Sequence, residues 1–173
     1  MLSENLQSHI KDYPDFPKKG IIFKDISPIL ANPQLFSNLI KKMSSRKVYE
    51  DSDAIIGIDS RGFIFASAIA IVLNKPLILA RKKNKLPGKL IQKDYGLEYL
   101  KDSLSIQLES IEKFKSFVIV DDLIATGGTA KCVLDILKSE NKTVLGLNVV
   151  IELTFLKGNK DLQCPVYSEI QFV

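Results

Sequence analysis

The chain has 173 residues, 46% of them hydrophobic and 25% charged, which is the composition of an ordinary globular protein with enough length for one sizeable core. The net charge of +4 is too mild for a nucleic-acid footprint, and the longest apolar stretch, Phe63 to Leu73, is too short to span a bilayer and contains Ser67. Cys132 and Cys164 have no Cys or His near them at metal spacing, and the first residues lack the basic and apolar regions of a secretory signal, so two reduced thiols and a cytoplasmic location are expected.

Residues 1–32 are expected to be irregular, because Pro14, Pro17, Gly20 and Pro28 interrupt every periodic pattern; the lone His9 within them reads as a surface residue. Asn32-Pro33 looks like a helix start, with Leu35, Phe36, Leu39, Ile40 and Met43 following at helical spacing. Ala54 to Ile58 reads as a buried strand, Asp59-Ser60-Arg61-Gly62 as a tight turn, Phe63 to Leu73 as a buried helix and Pro76 to Ala80 as a second strand. The stretch from Arg81 to Lys101 is polar and reads as a loop of about twenty residues, a length that suits an active-site lid rather than an idle connection. It carries Arg81, Lys82, Lys83, Lys85 and Lys89, either a solvated loop or an anion-binding one. Leu104, Ile106 and Leu108 alternate with polar residues, as in a strand with one solvated face. Phe117 to Val120 is a third buried strand, Thr129 to Lys138 a helix with Ala130, Val133, Leu134 and Leu137 on one face, and Thr143 to Leu153 a further strand. With no repeat or linker, this alternation predicts one α/β domain over 1–173 with a largely parallel central sheet flanked by helices.

The run from Val118 to Ala130 carries the chemistry. A buried strand delivers the adjacent carboxylates Asp121 and Asp122 to the carboxyl edge of the sheet, where open α/β sheets bind ligands. The turn Thr126-Gly127-Gly128-Thr129 then offers backbone N–H groups at a helix N-terminus, which suits a phosphate. An acidic pair alone could be a turn or cap, or the acidic strand of a nucleoside triphosphatase. The latter needs a Walker-A loop, and after Gly57-Ile58-Asp59-Ser60-Arg61-Gly62 stand Phe63-Ile64 where Lys and Ser or Thr are required. No G-x-G-x-x-G follows a strand either. Carboxylates for sugar hydroxyls or a metal, beside a phosphate turn, imply a sugar phosphate.

The same run resembles the binding motif for phosphoribosyl diphosphate (PRPP) of the type I phosphoribosyltransferases. Further blocks occur in order: Pro14-Asp15-Phe16-Pro17, Gly20 to Pro28, Asp59 to Phe63, Lys85-Leu86-Pro87-Gly88 and Leu97-Glu98-Tyr99. Together, from about Tyr13 to Ile170, they resemble the adenine-specific members of that family. The resemblance implies a type I phosphoribosyltransferase-like fold with an N-terminal hood over 1–32 and a flexible lid over 81–101. It implies transfer of the phosphoribosyl group of PRPP to adenine, giving AMP and diphosphate, with Mg2+ held mainly through PRPP and no direct protein ligand. A cytoplasmic homodimer with adenine and PRPP as its partners is expected, without nucleic acid or membrane.

By that resemblance, Asp121 and Asp122 meet the ribose hydroxyls, and Ala125, Thr126, Gly127, Gly128 and Thr129 hold the 5-phosphate. Ser60 and Arg61 belong to a diphosphate loop, and Arg81 and Lys85 also meet diphosphate. Ile22, Phe23 and Lys24 form the base hood, where Phe23 stacks on the purine; read without the resemblance, Phe23 is a core aromatic. Glu98 is the acid near the purine nitrogens, and Tyr99 lies beside it in the lid. Enzymes for 6-oxopurines commonly carry Asp where this chain has Ala125, which favours adenine. Lys24 replaces a common Arg, while Asn84 and Leu100 stand where relatives often have Gly; a positive φ is easier for Asn than for Leu. Two other readings stay open: transfer to another purine, and a PRPP- or purine-sensing regulator without catalysis.

Overall fold

The computed structural model describes residues 1–96 and 102–173, in two compact units, Met1–Met43 and Ser44–Val173. The first unit is more regular than expected. Helix α1 (Leu2–Ser8) precedes an antiparallel hairpin of β1 (Lys11–Pro14) and β2 (Ile22–Asp25), then a short helix α2 (Ser27–Leu30) and α3 (Pro33–Ser44). The prolines punctuate this structure without preventing it. Pro14 ends a strand of a two-stranded ribbon and Pro28 opens a helix, both positions where a missing N–H costs little. His9 caps α1, its Nδ1 2.8 Å from the Asn5 carbonyl oxygen. In α3, Leu35, Leu39, Ile40 and Met43 are buried, as their spacing requires.

The second unit is a seven-stranded sheet of β3 (Ala54–Ile58), β4 (Leu77–Lys82), β5 (Leu90–Tyr95), β6 (Asp102–Gln107), β7 (Ser116–Ile124), β8 (Thr143–Leu153) and β9 (Val166–Phe172). The order is β5-β6-β4-β3-β7-β8-β9; β4, β3, β7, β8 and β9 run parallel, and β6 is antiparallel to both its neighbours. Helix α4 (Gly62–Leu73) lies against β3, β7 and β4, and α6 (Gly128–Ser139) against β5, β6 and β8. A short helix α5 (Leu108–Ile111) links β6 to β7. Side chains alternate across β3: Ala54, Ile56 and Ile58 join the core that includes α6, whereas Gly57 faces α4, where a Cβ would come 2.8 Å from that of Ala66.

Three expectations are corrected. The stretch from Arg81 to Lys101 is not one structureless loop, since β5 lies within it, paired along its length with β6. Its polar composition hides an alternation in which Ile91, Lys93 and Tyr95 are half-buried; the Lys93 stem runs to α6, where its Nζ donates to the Asp135 carbonyl at 2.7 Å. In β6 both faces are covered, with Ser103 and Ser105 as buried as Leu104 and Ile106, and Leu108 belongs to α5. Finally, β7 does not end before the acidic pair. It pairs with β8 as far as Ile124 opposite Glu152, while its pairing with β3 stops at Val120. Asp121 and Asp122 therefore sit where β7 has outrun one neighbour and is still held by the other.

Candidate active site

In the parallel part of the sheet the chain winds outward from β3 in both directions, so β3 and β7 form a switch point whose carboxyl ends open a crevice. A cleft of about 300 Å³ occupies it, lined by Asp59, Ser60 and Arg61 after β3, by Asp121 to Ala130, and by Lys82, Tyr95, Leu147 and Val149. Gly62 lets α4 start close to β7: a Cβ there would lie 2.7 Å from Asp121 Oδ1.

The cleft's charges are arranged in pairs. Arg61 Nη2 contacts Asp122 Oδ2 at 2.6 Å, and Arg81 Nε contacts Asp59 Oδ2 at 3.2 Å. The Asp122 amide donates to Asp121 Oδ1 at 2.8 Å. Burial holds the Asp121 carboxyl well above its usual pKa, and the adjacent Asp122 carboxylate pushes the same way, against the smaller opposing pull of Arg61. On the opposite wall, Tyr95 donates to Asp102 Oδ2 at 3.1 Å, and Lys82 Nζ lies 3.4 Å from the same oxygen. Burial, then the Asp102 charge, raises the Tyr95 phenol to about 12, so it remains a neutral donor at working pH.

The phosphate turn is built on Gly127, the N-cap of α6, at φ 80. A Cβ there would collide with the Gly158 carbonyl oxygen. The first hydrogen bond of the helix reaches the Gly127 carbonyl from Lys131 N, at 2.9 Å, which leaves the N–H groups of Gly128, Thr129 and Ala130 without intrahelical acceptors. An anion in the cleft meets these groups together with the positive end of the helix dipole. Gly128 is less constrained, since a Cβ would find only the Tyr95 ring at 3.7 Å and Thr126 Oγ1 at 3.9 Å.

Known proteins resemble this chain along nearly its whole length. Residues 25–170 match the phosphoribosyl transferase domain family. The chain is 52% identical over 170 residues to an adenine phosphoribosyltransferase of Prochlorococcus marinus, covering 98% of this chain and 99% of that one. The chain belongs to the adenine phosphoribosyltransferase family. The Saccharomyces cerevisiae adenine phosphoribosyltransferase, solved in complex with an imino-altritol bisphosphate and adenine, superposes with a TM-score of 0.90 at 37% identity, over 97% of this chain and 98% of its own. The Trypanosoma brucei enzyme, solved with AMP, pyrophosphate and ribose-5-phosphate, gives 0.88 at 27% identity, over 98% of this chain and 79% of its own. As an adenine phosphoribosyltransferase family member, the chain is a glycosyltransferase with the type I phosphoribosyltransferase fold.

Of the residues singled out from the sequence of this phosphoribosyltransferase, the cleft brings together Ser60, Arg61, Asp121, Asp122, Ala125, Thr126, Gly127, Gly128 and Thr129. Arg81 and Lys85 do not line it; Arg81 turns to Asp59 and donates from Nη1 to the Lys85 carbonyl at 3.3 Å. Ile22, Phe23 and Lys24 lie in the first unit on β2. There Phe23 is half-buried rather than core, meets Phe16 edge-on at 5.3 Å between centroids, and lines an apolar recess with Tyr13, Pro14 and Phe16, while Lys24 pairs with Asp12 at 2.7 Å. Glu98, Tyr99 and Leu100 fall outside the described residues. Asn84 has φ 61, the positive value that its replacement of glycine anticipates. Sequence reasoning missed Asp59, Lys82, Tyr95 and Gly158. Asp59 and Lys82 stood within blocks already singled out, whereas nothing local marks Tyr95 or Gly158.

Proposed function

We propose that this phosphoribosyltransferase joins adenine to the phosphoribosyl group of PRPP, giving AMP and diphosphate in purine salvage. The observation that carries the reading is a single cleft that combines the Asp121-Asp122 pair, the Arg61 guanidinium and the uncapped N-terminus of α6. The loop Ala125–Thr129 takes the 5-phosphate, and Asp121 and Asp122 hold the ribose hydroxyls. As the bond from the anomeric carbon to diphosphate breaks and the purine nitrogen bonds to that carbon, the purine's imidazole proton being lost to solvent, positive charge grows on the sugar. The two carboxyl groups supply a negative field there, while Ser60, Arg61, Arg81 and Lys85 receive the charge that builds on diphosphate. Ile22, Phe23 and Lys24 receive the purine, and Glu98 and Tyr99, in the segment joining β5 to β6, act at its ring and keep water from PRPP. Ala125 supports adenine over 6-oxopurines, and adenine in the complex of the yeast relative supports the same base.

The donor set suits a magnesium ion held mainly by PRPP and water. Magnesium keeps several of its waters and binds chiefly through substrate phosphates, so it needs no direct protein ligand here. Asp121 and Asp122 are its nearest protein neighbours in this reading, and when bound it neutralises part of the diphosphate charge. A homodimer belongs to the same proposal: α4 is apolar apart from Ser67, yet Ile64, Ile71 and Val72 are exposed on it, as are Leu77 and Leu79 on β4. No helix of the described residues is long and apolar enough to cross a membrane, and the cytoplasm is the proposed location. Incubation of the purified protein with adenine, PRPP and magnesium is expected to release AMP and diphosphate in equal amounts. PRPP bound without AMP formed would instead favour the sensing regulator.

A further inference from the structure

The phosphate loop rests on a second stretch of backbone, around Gly158, which follows β8. Just as Gly127 excludes a Cβ, so does Gly158: one there would collide with the Ala125 carbonyl oxygen and lie 2.7 Å from the Gly127 nitrogen. Two backbones that meet without intervening side chains move together, since no rotamer lies between them to absorb a shift. Whatever fixes Gly158 therefore fixes the loop from Ala125 to Thr129.

On one side of Gly158, Lys157 takes the left-handed conformation at φ 54, and Thr154 Oγ1 donates to the Phe172 carbonyl at 2.9 Å. On the other side, Asn159 Nδ2 donates to Glu152 Oε1 at 3.0 Å. Glu152 is only 5% exposed, near the end of β8, opposite Ile124 of β7. Its second oxygen accepts from Ser168 Oγ at 2.8 Å and from Gln171 Nε2 at 3.1 Å, which ties it to β9. A buried carboxyl group with three donors is rigidly placed. Neither Glu152, Asn159, Ser168 nor Gln171 lines the cleft.

From these contacts we propose that Glu152 and Asn159 are positioning residues for PRPP: Glu152 holds Asn159, Asn159 holds the Gly158 backbone, and Gly158 holds the phosphate loop. The inference rests on the reading of that loop as the 5-phosphate site. Titration calorimetry with PRPP and magnesium, beside KM values for PRPP and adenine, tests it. Asn159→Ala is expected to weaken PRPP binding and raise its KM at least about tenfold, the worth of one hydrogen bond to a charged group, with the KM for adenine close to wild type and the Tm lowered by a few degrees. Glu152→Gln keeps an acceptor oxygen for Asn159 and should retain wild-type PRPP affinity, whereas Glu152→Ala should repeat the Asn159→Ala loss. Equal losses for PRPP and adenine, or a lowered Tm with PRPP affinity unmoved, would overturn the positioning role. Wild-type protein that binds no PRPP would overturn both this inference and the proposed function. Wild-type protein that binds PRPP but forms no AMP would overturn the proposed function alone, and a tenfold weakening in Asn159→Ala would then still support the positioning role.

Discussion

Asp122→Asn is expected to lower kcat/KM by on the order of 10²- to 10³-fold, the usual loss when one preorganised electrostatic group is removed from a developing charge. The substitution keeps the shape and leaves an oxygen for Arg61; the side chains of the pair are 32% and 10% exposed, so losing the ion pair costs stability, and removing the charge that crowds the buried Asp121 carboxyl offsets part of that cost. Activity and Tm should therefore separate. The neighbouring carboxyl gives a second readout. Part of what raises Asp121 is the Asp122 charge, so neutralising Asp122 lets the Asp121 pKa fall. If the residual activity requires Asp121 ionised, the rising limb of its pH profile should move to lower pH. A Tm loss that accounts for the whole loss of activity would contradict the ribose-holding role of Asp122.

Gly127→Ala should be the most damaging small substitution in the phosphate loop. At φ 80 a side chain costs about 1–3 kcal/mol even in open space, and here the added Cβ collides with the Gly158 carbonyl oxygen. Either the loop or the Gly158 segment must shift. A displacement of about 1 Å at a binding group is enough to cost on the order of 10²-fold, so the KM for PRPP should rise by at least that, together with a lowered Tm. Gly128→Ala separates the two reasons for glycine. Its Cβ has room in the free protein and sits in the first turn of α6, where alanine is the better helix former by up to about 1 kcal/mol. The Tm should hold or rise, and any loss should fall on PRPP affinity alone. Identical Tm losses in the two variants would contradict this account of the turn.

What the sequence made legible was what is encoded locally. The all-apolar strand Ala54–Ile58, the long strand Thr143–Leu153 and the periodic faces of α3 and α6 each carry their own pattern, and the structure repeats them nearly residue for residue. The acidic pair and the Thr126–Thr129 turn were readable because strand, carboxylates and glycines follow without interruption. What was illegible depends on distant partners. β5 carries three charged or amide side chains between its apolar residues, and only the β6 ladder and the α6 surface make it a strand. The extension of β7 through Asp121 to Ile124 is fixed by β8, twenty-eight residues further along the chain in its register Ile124 to Glu152. Gly158 looked like an ordinary loop glycine, because its reason is the carbonyl of Ala125, brought beside it only by the folded sheet. Tyr95 entered the cleft for the same reason, through β5.

Transfer to adenine is tested by a competition among bases. The purified protein is given PRPP, magnesium and an equimolar mixture of adenine, hypoxanthine, guanine and xanthine, and the nucleotide formed is identified by mass. AMP is expected as the dominant product. Dominant IMP, GMP or XMP would contradict the reading of Ala125 and of the β2 residues Ile22, Phe23 and Lys24 as an adenine site.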